Sequence, residues 1–354
     1  MACQPIVRHV TWAIPGHIET VTGGYAYDRR IIAELKRLGW EVELVGLGDG
    51  FPRPTADQKA DAQARLLATA SDRPIVIDGL AFGVLPEAAA ALHRTHPVIA
   101  LVHHPLAFET GLTQRESDAL LASERVALAS TRHVITTSPW TADALIQRFD
   151  VAAERLTVIL PGTDRAPFAT GNNTPICLLS VGAISVRKSF DLLVQALVPL
   201  ADRPWRLVIA GDRERDPAAT ARLDAVIAQH HLTGRIDAMG KVSANQLEAL
   251  YAAADLFVLA SRFEGYGMAF AEALAHGLPI IGTTGGATPY TVPASAGQLV
   301  APGNVAALTE ALRELIDDRD LRRALASGAR AAAARLPSWE DSGAAFSDLL
   351  TRLI

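Results

Sequence analysis

The chain has 354 residues, a net charge of −5, and 49% hydrophobic against 20% charged residues. That length is more than one ordinary core accommodates and predicts two domains. The balance excludes a disordered chain, and the charge gives no electrostatic ground for a nucleic-acid partner. Two cysteines, Cys3 and Cys177, make neither a disulfide framework nor a metal cluster and read as reduced thiols. Arg8 and His9 break the first apolar run, so the start does not read as a signal peptide. No stretch approaches the roughly 18 apolar residues of a membrane span. The expectation is a soluble, cytoplasmic protein, with peripheral membrane contact left open and no oligomeric state indicated.

In chain order, apolar runs rich in β-branched residues fall at 7–14, 41–47, 74–78, 98–103, 133–137 and 157–160. The first amphipathic stretch between them is 27–38. A Pro/Gly/Asn-rich segment at 161–175 separates this series from a second, at 176–181, 206–210, 256–260, 279–283 and 298–300. Amphipathic stretches at 191–200, 219–230 and 305–315 lie among the second set. Buried strands alternating with helices predict an α/β chain with parallel sheets and helices on both faces. The divisions expected are 1–165, 175–336 and a tail at 337–354. The tail reads as a helix with Ser338 as N-cap and Glu340 and Asp341 in its first turn. The Ala-rich stretch 324–334 reads as helix as well.

Four places carry chemistry, again in chain order. Gly23-Gly24 follow the first strand and precede a helix, where glycines admit close approach of a ligand. No GxGxxG stands there, which argues against a nicotinamide dehydrogenase. His103-His104 close a strand, with Glu109 nearby. Adjacent residues of an extended strand point to opposite faces, so the pair would not chelate one ion. One His reads as structural and the other as facing a ligand, and the pattern does not say which. Glu109 reads equally as a substrate contact or a surface carboxylate.

Gly182 begins the loop after the first strand of the second series, and Arg187-Lys188 end it beside a helix start. Basic residues there oppose the helix dipole unless an anion lies between them, which points to a diphosphate. Glu264-Gly265-Tyr266-Gly267-Met268 leads from a strand into a helix that carries Glu272. Amides at that helix start suit phosphate, and the flanking carboxylates suit sugar hydroxyls. Glu272 sits among apolar residues, where a charge needs a partner, and a ribose diol would be one. Asp318-Arg319-Asp320 has the look of a metal motif but lies between predicted helices and reads as a solvated turn; no metal site is expected.

With these residues in place, the chain resembles a retaining glycosyltransferase of the GT-B fold, family 4. The E-x7-E signature of that family stands as Glu264–Glu272, preceded by Leu247, Leu250, Tyr251, Ala254 and Asp255 and followed by Gly277-Leu278-Pro279 and Thr284-Gly285-Gly286. The resemblance implies two Rossmann-like domains facing across a cleft and a tail helix crossing back to the first. It implies a nucleotide-diphosphate sugar (UDP or GDP type) as donor and no cofactor or metal. The acceptor, whether sugar, lipid-linked or a small molecule, would be met by the first domain, with His104 and Glu109 on that side. Glu264 would touch the transferred sugar, Glu272 the ribose, and Arg187 and Lys188 the diphosphate, with amides near Gly24 and Gly267. His103 would lie near the transferred sugar, and Lys241-Val242 near the base. Two departures stand out: Ala183 replaces an Arg common in the family, for which Arg187 is the candidate substitute, and Ala287-Thr288-Pro289-Tyr290 lacks a common Glu. The competing readings are an epimerase or hydrolase on the same fold, a non-catalytic nucleotide-sugar sensor and, last, a dehydrogenase.

Overall fold

The computed structural model describes residues 8–353, so Cys3 lies outside the described residues. The chain divides into two compact units: residues up to Gly162 together with those from Pro337 onward, and Thr163–Leu336.

The first unit is built on a sheet of β1 (Arg8–Ile14), β2 (Trp40–Gly46), β3 (Ile75–Asp78), β4 (Val98–Val102), β5 (His133–Thr136) and β6 (Leu156–Val158). All its pairings are parallel, in the order β2-β1-β3-β4-β5-β6. Every residue of β3, β4 and β5 is buried. This is what uninterrupted apolar runs become when helices cover both faces of a parallel sheet. The strand order reverses between β1 and β3. The crevice outside the carboxyl ends of two such strands is where open α/β sheets place ligands.

The second unit carries β7 (Ile176–Val181), β8 (Trp205–Ala210), β9 (Ile236–Gly240), β10 (Leu256–Val258), β11 (Ile280–Thr283) and β12 (Gly297–Val300). The order is β12-β11-β10-β7-β8-β9, again parallel throughout. Its reversal lies between β7 and β10. The edge strand β9 has no counterpart among the expected strands. Its sequence, Ile-Asp-Ala-Met-Gly, alternates in exposure and lacks the apolar run that marks the others.

The tail forms a helix, Trp339–Leu353, that completes the first unit. Ser338 caps it: its Oγ accepts from the Asp341 amide (3.1 Å), and its own amide donates to Asp341 Oδ2 (2.9 Å). The helix packs on the helix Gly23–Arg37. Trp40 Nε1 donates to Ser347 Oγ (2.9 Å), and the Trp12 and Phe346 rings meet at 5.2 Å. Asp318 is not a free turn residue. It caps the helix Arg319–Ala333, accepting from the amides of Asp320 and Leu321, both at 2.9 Å. Among the described residues, no helix is long and apolar enough to cross a membrane.

Candidate active site

In the second unit the site grows from the reversal between β7 and β10. The loop after β7 brings Gly182, Arg187 and Lys188, and the loop after β10 brings Ser261 and Glu264. The two loops are tied where the Arg262 amide donates to the Arg187 carbonyl (2.7 Å). Glu264 is held through its backbone as well, in a parallel bridge with Gly286. Its amide donates to Gly285 O (3.3 Å), and its carbonyl accepts from the Ala287 amide (2.8 Å). The Gly285-Gly286 pair therefore anchors Glu264, and the Ala287 that follows still supplies a backbone bond.

The carboxylate of Glu264 lies among three donors. Lys188 Nζ is 2.6 Å from Oε1, Arg187 Nη1 is 3.4 Å from Oε2, and Ser261 Oγ donates to Oε1. Arg187 also donates to the Phe263 carbonyl (3.1 Å). Gly182 makes room for this arrangement: with φ +152°, a Cβ there would stand 3.0 Å from Lys188 Cε. Glu264 is 5% exposed. Burial acts to raise its pKa, but Lys188, Arg187 and the hydrogen bonds from Lys188 and Ser261 outweigh it and hold it below the usual carboxylate value. Lys188 is pulled below the ordinary lysine range, first by burial and then by Arg187, against the attraction of Glu264. Two cations thus share one carboxylate.

Eight residues on, Glu272 lies on the helix Met268–Ala275, whose N-cap is Gly267 at φ +91°. The partner that its apolar surroundings demand is Tyr251, whose hydroxyl donates to Oε2 at 2.8 Å. Burial raises the pKa of Glu272, and the nearby Asp164 adds to the rise. The Tyr251 ring is stacked on His276 at 5.0 Å, which fixes the hydroxyl. Tyr266, expected as a donor contact, is buried through its side chain, while its carbonyl accepts from Thr291 Oγ1 at 2.6 Å. Gly265 and Met268 are half-buried. Lys241 is exposed and paired with Asp212 (3.2 Å) and Glu214 (3.5 Å), and Val242 beside it is half-buried.

In the first unit the two histidines part company. His103 Nε2 lies 3.1 Å from Asp28 Oδ1 and 3.7 Å from Asp78 Oδ2. His104 Nε2 lies 3.6 Å from Glu109 Oε2. Asp28 and Gly24 sit one turn apart on the helix Gly23–Arg37, whose N-cap is Thr22. A Cβ on Gly24 would come within 3.2 Å of His103 Cδ2, so this glycine makes room for the imidazole. Asp78 ends β3, where its Oδ1 also accepts from the Leu80 amide (2.7 Å). Burial raises the Asp78 carboxyl to about 7, and the charge of Asp28 adds to that, against the pull of His103. Burial lowers the His103 pKa, but the charge and hydrogen bond of Asp28 and the charge of Asp78 outweigh it, and the net shift is upward. Among the described residues, Asp28, Asp78 and His103 are the one group of three donor atoms close enough to share a metal ion, all within 4.8 Å of one another.

The loop after His104 is pinned from behind. Glu124 accepts from the amides of Leu106 and Ala107, both at 2.9 Å, and burial raises its carboxyl to about 7 against those bonds.

Asp28, Asp78, Ser261 and Glu124 escape the sequence reading. Asp28 carried a signal in the sequence: it is a charge beside Tyr27, Ile31 and Ile32 on what proves a buried helix face. Ser261 carried none.

Two family models match adjoining stretches: "Glycosyltransferase Family 4" over 23–166 and "Glycosyl transferases group 1" over 163–332. The chain belongs to the group 1 glycosyltransferases and has their GT-B fold. A D-inositol 3-phosphate glycosyltransferase of Xylanimonas cellulosilytica is 28% identical over 277 residues, covering 73% of this chain and 65% of that protein. The chain thus spans somewhat under two thirds of that relative. Sucrose-phosphate synthase from Thermosynechococcus elongatus superposes with a TM-score of 0.82 at 20% identity, covering 97% of this chain and 99% of the other. Anabaena Alr3699/HepE in complex with UDP-glucose superposes with a TM-score of 0.78 at 19% identity and the same coverage. At such identities the likeness is one of fold.

Proposed function

We propose that the chain moves a hexosyl unit from a nucleotide-diphosphate sugar to an acceptor hydroxyl, with retention at the anomeric carbon and without a metal cofactor. The observation that carries this reading is the convergence of two cations at the β7–β10 reversal, where Lys188 and Arg187 meet at Glu264. As the anomeric C–O bond breaks, negative charge grows on the departing diphosphate and positive charge on the sugar ring. Lys188 and Arg187 are fixed cations, oriented before the donor arrives, and stabilise the first without reorganisation. Glu264 orients both cations and offers its carboxylate to hydroxyls of the sugar. Glu272, oriented by Tyr251, takes the ribose diol. His103 serves the transferred sugar.

The ion pairs engage the whole carboxylate of Glu264, so a nucleophilic role would require breaking them. This favours a front-face route in which the leaving phosphate takes the acceptor's proton, over a double displacement through Glu264. The anomeric configuration of the product, read by NMR coupling constants, tests retention; an inverted product sinks it. Turnover unchanged by a chelator is expected, and loss restored by added metal would overturn metal independence. A thermal-shift panel of UDP and GDP sugars identifies the donor, since a ligand of the native state raises Tm.

A further inference from the structure

We infer that Asp28 is a positioning residue for His103, setting which ring nitrogen carries the proton and which is left for the substrate. The inference rests on the proposed role of His103 in transfer. Its own grounds are geometric. The imidazole is gripped on three sides. Gly24 leaves room for Cδ2, Tyr27 meets the ring edge-on at 5.3 Å, and Asp28 Oδ1 faces Nε2 at 3.1 Å. Gly24, Tyr27 and Asp28 all belong to the first turn and a half of one helix, so a single rigid element sets the ring plane and its hydrogen bond together.

A carboxylate oxygen only accepts, so Nε2 carries a hydrogen and donates. Nδ1 is then the nitrogen left for the sugar. Asp78 Oδ2 stands behind at 3.7 Å and reinforces the same polarity. Asp28 is fully buried, and the partner of its Oδ1 is the His103 ring, with Asp78 close enough to interact with both. The charged and titratable groups facing the ring are Asp28, Asp78 and the phenol of Tyr27. The last has its pKa raised by burial and by Asp28, and its hydroxyl donates to Ile159 O (3.1 Å). The same carboxylates raise the pKa of the ring; Nε2 keeps its hydrogen in both forms, and the proton that titrates is the one on Nδ1.

The test compares Asp28→Ala and Asp28→Asn in the full chain, with 15N NMR of the histidine side chains and steady-state kinetics on each. The alanine variant should lose the fixed Nε2–H tautomer and lower the His103 pKa. Its kcat should fall about 10- to 100-fold, the worth of one charge-assisted hydrogen bond, with the donor KM within about threefold of wild type. Asparagine keeps an acceptor without the charge. It should preserve the tautomer, lower the pKa and recover part of kcat, and it secures the test if the alanine variant does not fold. Unchanged His103 tautomer and pKa in both variants would overturn the assignment. So would stoichiometric broadening of the His103 signals by added Mn2+ together with metal-dependent turnover, which would make the three side chains ligands. A His103→Ala variant with wild-type kcat would overturn the role of His103 itself, and with it the assignment. That failure is distinguishable, because the ring would still respond to Asp28→Ala.

Discussion

The charged clusters at the two strand-order reversals are opposite in composition. At the β1–β3 reversal, two carboxylates surround one imidazole; at the β7–β10 reversal, two cations surround one carboxylate. Burying an uneven set of charges is costly, and each cluster has its own remedy. In the first unit the excess is removed by a proton, since Asp78 titrates at about 7. In the second, two cations meet one carboxylate, with burial and Arg187 lowering the Lys188 pKa against the attraction of Glu264. A cluster that neutralises itself suits the positioning of a neutral group. A cluster that brings two cations together suits an anionic ligand.

The largest effect that would sharpen this contrast is expected from Lys188→Met. Its side chain is 12% exposed, and removing it leaves Glu264 buried beside one more distant cation. We expect a loss of about 3–5 kcal/mol in urea unfolding and of about 100- to 1,000-fold in kcat. A variant as stable as wild type would show that the ion pair is not what holds Glu264. Arg187→Ala should do less on both counts, since that side chain is 31% exposed and its contact is 3.4 Å. We expect about 1 kcal/mol or less in stability and about tenfold in kcat. An effect equal to that of Lys188 would make Arg187 the full replacement for the arginine absent at Ala183. Tyr251→Phe removes one hydrogen bond and should cost about 1 kcal/mol in stability, with a donor KM several-fold higher. An unchanged KM would detach Glu272 from the ribose.

A separate effect is a slope with pH. Asp78 and Glu124 have folded pKa values of about 7, above their unfolded values. The folded state therefore holds more protons between those values, and stability should decline as pH rises from about 4 to about 7 and level off above. Asp78→Asn and Glu124→Gln should each flatten that decline in urea unfolding across pH. A slope unaltered by either would mean that the excess charge of the first cluster is relieved by something other than a proton.

The fold was legible because both sheets are parallel and buried, so that strands announce themselves as apolar runs. Only β9, an edge strand with an alternating pattern, escaped. Glu264, Glu272, Arg187 and Lys188 were legible because charges stand out where strands turn into helices. What they touch was not. That Lys188 and Arg187 share Glu264 depends on two loops 76 residues apart in sequence lying side by side. Sequence suggested that Gly24 lets a ligand approach, but the group that fills its missing side chain is His103, from the end of another strand. The partner of Glu272 came from a helix already noticed for its pattern, in which Tyr251 stood only as one of several recurring positions.

The tail helix has a consequence for the order in which the molecule assembles. The second unit is one continuous stretch, whereas the first is interrupted and needs residues made after the second is complete. Thr163–Leu336 can close its core from its own residues, while Trp12 and Trp40 still await Phe346 and Ser347. Chains truncated at residue 336 and released should be protease-resistant in the second unit and cleaved in the first. The Tyr27 ring that braces His103 also meets Trp339 at 6.1 Å, so the imidazole is fully braced only once the helix Trp339–Leu353 has been made.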